Sequence, residues 1–188
     1  MKYFFVTLLV CLFGCNYNSN KSESQSNSDD SNVVNIPEGA VEGDYNGDGH
    51  SEYMWLIAPK IVVESMDCEG ECECLIQFSD PNILPIKVEM CIGGEPVNES
   101  DLNENGTDEI GLLPSWFTSC WMAYYVWTFS NGKWIHAVEP ISTHCNQWEE
   151  GVKPIEKDPN HKGNVLIHYS LHADTSIVTQ SKSVEIAK

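Results

Sequence analysis

Beyond its first fifteen residues this chain offers no long apolar repeat at helical spacing that is free of nearby glycine or proline. Its apolar residues come instead in short runs: Glu52–Pro59, Glu73–Asp80, Pro85–Ile92, Cys120–Phe129, Lys133–Ile141, Asn164–His172 and Ser176–Ile186. Each is rich in β-branched or aromatic residues and ends at turn signals, the pattern of strands. Asn131 and Gly132 mark a tight hairpin between two of them, because a type I′ turn needs positive φ at both central residues. The runs predict an all-β, antiparallel domain, arranged as small or incomplete β-propeller-like blades or as a β-sandwich.

Cysteine usage adds staples and a compartment. Beyond Cys15 there are six: Cys68, Cys72, Cys74, Cys91, Cys120 and Cys145. An even number in an exported chain of this size points to disulfides. Cys74 and Cys91 flank an expected hairpin and would lie opposite each other if its turn centred near Asn82. Cys120 with Cys145 is a second pairing, which leaves Cys68 with Cys72. The alternative for Cys68–Cys74 is zinc, but that spacing is not a common zinc arrangement.

Residues 1–14 read as a signal segment, with Lys2, an apolar run from Tyr3 to Phe13, then Gly14 and Cys15. The run is too short for a spanning helix, which needs about 20 apolar residues. Leu12–Cys15 resembles a bacterial lipobox, with Phe13 where a small or branched residue is usual. That resemblance implies a lipidated Cys15 and a membrane-anchored lipoprotein of the bacterial cell envelope, whose acyl chains add about 0.8 kcal/mol of retention per buried methylene. The alternative is an ordinary cleaved signal with Cys15 incidental. Residues 15–32 are dominated by Ser and Asn and bury too little apolar surface to order themselves, so they are expected to be a flexible tether. As a coil it spans about 23 Å. Residues 33–188 are then a single all-β domain.

Ten lysines face 28 carboxylates, no arginine is present, and the formal net charge is -18. Arginine is favoured for phosphate recognition and basic patches supply most non-specific nucleic-acid affinity, so nucleic acid is not an expected partner. Divalent cations suit such a surface. Much of the charge also serves to keep an exposed domain soluble and monomeric.

From Ile110 to Gly132 no residue is charged. Pro114, Cys120 and the closing Asn-Gly argue for a central strand entering a hairpin rather than a membrane span. Alternation places Phe117, Trp121, Ala123, Tyr125, Trp127 and Phe129 on one face. That face is either hydrophobic core or, through Trp121, Tyr125 and Trp127, a platform for stacking on sugar rings.

The most specific pattern is written twice, as GDYNGDGHSE from Gly43 and SDLNENGTDE from Ser100. Numbered from Asp44 and Asp101, positions 1, 3 and 5 are Asp44, Asn46 and Asp48 in the first loop and Asp101, Asn103 and Asn105 in the second. Position 6 is glycine in both, position 7 is His50 or Thr107, and position 9 is Glu52 or Glu109. Calcium takes six to eight oxygens at about 2.3–2.6 Å, and alternating side chains of a tight loop converge on such a point. The glycine allows the bend that aims the next carbonyl at the ion, so His50 and Thr107 are expected to ligate through C=O. Without an ion, the same residues would serve as Asx turns.

Position 12 is Trp55 or Leu112, where an EF-hand needs a bidentate glutamate, and a strand-like run follows the first loop directly. The two segments are similar to the calcium loops of FG-GAP and VCBS-type repeats, the β-propeller blades of integrin-like proteins. The resemblance covers Gly43–Leu56 and Ser100–Leu113, with Glu52 and Glu109 standing where those blades usually have Asp. It implies structural Ca2+ at both loops and one blade for each. Asp44, Asp48 and Glu52 charge the first site more strongly than Asp101 and Glu109 charge the second, so the second should bind more weakly. Dissociation constants on the order of 0.1 to 1 mM are ordinary for exported modules.

Catalytic signatures are sparse. No GxSxG, HExxH or phosphate-binding glycine loop is present. His168 and His172 would stand about 13 Å apart on one strand face, too far to share an ion. His144 beside Cys145 suggests a thiol nucleophile with its base, but neighbours on a strand point to opposite faces and an exported cysteine is more often bridged. The sequence therefore favours a non-catalytic, Ca2+-stabilised domain that binds a macromolecule or other envelope component. A carbohydrate-binding module and a small envelope hydrolase or inhibitor are the alternatives.

Overall fold

The computed structural model describes residues 34–188; the signal-like segment 1–14, Cys15, the tether to residue 32 and the expected domain start at Val33 lie outside the described residues. β1 (Val41–Gly43) and β2 (Glu52–Ile57) pair antiparallel around the first acidic loop, with Gly43 opposite Glu52. A small hairpin of β3 (Ile61–Val62) and β4 (Asp67–Cys68) precedes β5 (Glu73–Phe78), which returns along β2 and is followed by β6 (Ile86–Glu89). The plan then recurs. β7 (Pro96–Asn98) and β8 (Ile110–Leu112) pair around the second loop, β9 (Trp121–Ser130) runs back along β8, and β10 (Lys133–His136) returns along β9. Two four-stranded meanders result, each opened by an acidic loop.

β11 (Ile141–His144) resumes the pairing along β9, and a short helix, α1 (Cys145–Glu149), follows it. A third sheet of β12 (Ile155–Lys157), β13 (Asn164–Ala173) and β14 (Ser176–Glu185) completes the described chain. The fold is thus antiparallel and nearly all-β, and its described residues close no barrel or propeller. No described helix is long and apolar enough to cross a membrane.

The charge-free run is not the single strand expected: it holds β8 and β9, paired antiparallel, with Phe117 in the link between them, and β9 carries most of its aromatic residues. Trp127 joins Met54, Ile76, Phe78, Ile110 and Leu112 in one core, with Tyr125 and Phe129 packed against it. Tyr124 and Val126, pointing the other way, join Ile141, Ile155, Val165 and Ile167 in a second. Both faces of β9 are covered, so both parities must be apolar. Gly111, opposite Val126, leaves room for the Tyr124 hydroxyl, which donates to Glu99; a Cβ there would also stand 2.6 Å from Glu99 Oε1.

The hairpin at Asn131-Gly132 forms as expected, with Ser130 opposite Lys133 and φ of 52° and 74° at the two turn residues. Around the β5–β6 hairpin the register differs from expectation. Val88, not Cys91, lies opposite Cys74. Met90, at φ 52°, turns the chain after β6, and Cys91 donates its N–H to Cys72 O at 3.1 Å. Cys91 still reaches Cys74, with Cα atoms 5.4 Å apart, and Cys68–Cys72 and Cys120–Cys145 are paired at 5.3 Å and 4.8 Å. Each disulfide follows the expected pairing.

His144 is a strand residue as expected, but Cys145 after it begins a helix instead of continuing the strand. His144 ends β11 and caps α1, its Nδ1 accepting the Asn146 N–H at 3.2 Å. Buried Gln147 then ties the helix to β13, donating to His168 O and accepting from Ser170 Oγ. Closing a 17-residue loop with a disulfide contributes about 3 kcal/mol through the unfolded chain. Replacing Cys74 and Cys91 together by serine should lower the urea unfolding free energy by about that amount; an unchanged midpoint would show that this bridge is not formed.

Candidate metal centre

Each acidic loop joins the first two strands of a meander, and the two share most of their backbone-to-side-chain bonds, differing at Oδ1 of position 1, which accepts from Gly47 in the first and from Asn105 in the second. Oδ2 of the position-1 aspartate accepts the N–H of the position-6 glycine, Gly49 or Gly106, at 3.0 Å in both. Position 3 accepts the N–H of position 5: Asn46 from Asp48 at 2.8 Å, and Asn103 from Asn105 at 2.9 Å. Position 5 accepts the N–H of position 7: Asp48 from His50 at 2.8 Å, and Asn105 from Thr107 at 2.7 Å. The position-9 glutamate folds back, so that Glu52 Oε2 accepts the Tyr45 N–H at 2.9 Å and Glu109 Oε2 the Leu102 N–H at 2.6 Å. The position-6 glycines sit at φ 82° and 92°, in the left-handed region that the bend requires.

In the first loop, carboxylate oxygens of Asp44, Asp48 and Glu52 lie within 4.8 Å of one another. A fourth acid joins them that the loop pattern did not reveal. Asn46 Nδ2 shares its two N–H groups among Asp48 Oδ2 (3.3 Å), Glu52 Oε1 (3.1 Å) and Asp80 Oδ2 (3.3 Å). Asp80 comes from the β5–β6 turn, where the Asn82 N–H and Nδ2 hold its other oxygen at 2.8 Å. Only the folded hairpin brings it there. Burial first, and then the negative charges of Asp48, Asp44 and Asp80, raise the Glu52 carboxyl, against the Tyr45 N–H.

The second loop is more enclosed. Asn103 and Glu109 are 1 % and 0 % exposed, and Glu109 Oε1 has no hydrogen-bond partner. Burial pushes the Glu109 carboxyl up to about 7, while the nearby Thr128 hydroxyl and the Leu102 and Asn103 amides act against it. Thr128, on β9, accepts from Asn103 Nδ2 at 3.0 Å and Asn105 Nδ2 at 3.2 Å. Asn103 Nδ2 also holds Ala187 O at 2.7 Å, tying this loop to the end of the chain. Position 4 is Gly47 in the first loop and Glu104 in the second, both at positive φ, a conformation that costs Glu104 about 1 kcal/mol more than glycine.

The donor set fits a hard cation that takes oxygen ligands: carboxylates of Asp44, Asp48 and Glu52 in one loop, Asp101 and Glu109 in the other, with Asn46, Asn103 and Asn105 beside them and the carbonyls of His50 and Thr107 after the bend. A buried, unpartnered carboxylate oxygen is what such a cation would relieve. Two other groupings of possible ligands, Cys120 with His144 and Cys145, and Asp67 with Cys68 and Cys72, have their sulfurs tied up in disulfides. That removes both the zinc reading of Cys68–Cys74 and the thiol nucleophile at Cys145.

The aromatic residues of β9 do not form one open platform. Trp127 is 6 % exposed and belongs to a core, while Trp121 is half-buried, its ring centroid 4.9 Å from those of His144 and His172. Tyr125, Trp127 and His136 cluster at 5.6–5.8 Å and line a groove with Glu71, Glu73 and Glu89.

In calcium-free protein the raised Glu109 carboxyl contributes stability that is full below about 4.5, its unfolded value, and is lost as pH rises through about 7. The melting temperature without calcium should therefore carry a falling component between those values. Glu109→Gln should abolish that component, raise the calcium-free melting temperature at pH 7.5 and reduce the response to calcium. A Gln variant less stable than the parent without calcium would contradict the unpaired-carboxylate account.

No protein-family model matches the chain, and comparison with curated proteins and with solved structures gave no match.

Proposed function

We propose that this is a Ca2+-stabilised, non-catalytic binding domain of a membrane-anchored lipoprotein in the bacterial cell envelope. Its ligand is a macromolecule or other envelope component, and the ions brace the starts of the two meanders. The observation that carries the cation is the shared geometry of the loops, which buries Glu52 and Glu109 and leaves Glu109 Oε1 unpartnered. Support for the anchor comes from Leu12–Cys15 and the polar stretch behind it, and support for an oxidising compartment from the three disulfides. The acidic surface without arginine favours a partner other than nucleic acid.

A carbohydrate ligand is a second reading, favoured by the groove that Tyr125, Trp127 and His136 line together with Glu71, Glu73 and Glu89. Aromatic faces stack on sugar rings while carboxylates accept hydroxyl hydrogen bonds. Glycan-array binding that Tyr125→Ala removes would move the assignment to a carbohydrate-binding module.

EDTA should lower the melting temperature and millimolar calcium should restore it. At calcium a hundred times the dissociation constant the ligand-linked gain is about 2.7 kcal/mol for each site. An identical melting curve in EDTA and calcium, with Asp48→Ala as stable as the parent, would remove the reading.

A further inference from the structure

The two loops touch through a specific clasp. Asp44, position 1 of the first loop, donates its N–H to Asp108 Oδ2 at 3.1 Å, and its own carbonyl accepts the Asp108 N–H at 2.8 Å. Asp108 is position 8 of the second loop, between Thr107 and Glu109. Asn98 Nδ2 braces it, donating to Asp108 Oδ2 at 2.9 Å and to Glu42 O, beside the first loop, at 3.0 Å. Backbone packing closes the rest of the gap, since a Cβ on Gly47 would stand 2.9 Å from Thr107 Cγ2 and 3.1 Å from Gly106 O.

We infer that Asp108 is a positioning residue shared by two cation sites, and that through it the sites fill cooperatively. This rests on the reading of the loops as cation sites, which at the second loop the burial of Glu109 Oε1 without a partner supports. Asp108 is not at a ligand position. Its side chain fixes the backbone of Asp44, and its own backbone is fixed between Thr107, whose carbonyl follows the bend, and Glu109. An ion that immobilises Asp44 therefore orders both flanks of the clasp, and the second ion meets a loop whose ordering has already been achieved. Linkage requires the same factor in the opposite direction. Repulsion between two dications opposes this, and the Asp108 carboxylate at the junction offsets it.

Calcium calorimetry on the full chain tests the coupling in the parent, Asp48→Ala, Glu109→Gln, Asp108→Asn and Asp108→Ala. The affinity of the second loop in Asp48→Ala should be about tenfold weaker than the second binding step of the parent, while Glu109→Gln should bind one ion with the constant of the parent's first step. Asp108→Ala should still bind two ions but lose that factor. Asp108→Asn should keep part of it, because its amide oxygen still accepts the Asp44 N–H. If Asp108→Ala does not fold, Asp108→Asn and the two single-loop variants decide the matter. Two ions bound in the parent with the constants of the single-loop variants would overturn the coupling alone. No calcium heat in the parent would overturn the cation reading as well.

Discussion

Glu52 and Glu109 turn back across their own loops and accept the N–H of position 2, and the rest of each loop is arranged around that bond. It carries a carboxylate into the protein, where an uncompensated charge costs several kcal/mol. One oxygen is satisfied by backbone in each case. The other meets the Asn46 amide in the first loop and no partner in the second. Because Glu52 is also the first residue of β2, paired with Gly43, closing the first loop and starting the hairpin are one event. An ion held by these oxygens would thus support the pairing of the strands that open each meander.

The layers depend on the same junction. Asn98 and Asp108 bind the first meander to the second at the loops, and Trp134 binds them again where its Nε1 donates to Leu84 O at 3.0 Å and its ring stacks on Phe78. Between these fastenings lies the core of Met54, Ile76, Ile110 and Trp127. The third sheet is held from the other face of β9, and Asn103 links its end, at Ala187, to the second loop.

What the sequence disclosed was local. Period-two runs of β-branched and aromatic residues found the long strands, Asn131-Gly132 found its turn, and cysteine spacing found the bridges. Loop spacing found the position-9 glutamates, because a nine-residue pattern folds largely on itself. Hidden were features that depend on distant partners. β1, β7 and β8 are three residues each and owe their pairing to the loops between them, so they carry no periodicity of their own. Asp80, Thr128 and Asp108 look like ordinary turn or strand residues until the hairpins carry them to the loops. Alternation placed Tyr125, Trp127 and Phe129 on one face as the structure does, but it extended that face to Phe117, which lies before β9, and could not tell that both faces would be covered, which depends on sheets supplied from both sides. The register at Cys74 differs from expectation because the turn of the hairpin sets Val88 opposite it, a detail of loop closure that cysteine spacing does not encode; the positive φ at Met90, beyond the last paired residue, then carries Cys91 back within reach.

The central claim is that two ions complete the two loops, and counting them tests it most directly. Native mass spectrometry of the chain in calcium should show two bound ions, falling to one in Asp48→Ala and to one in Glu109→Gln. A parent that binds none, or variants that keep both ions, would contradict the account.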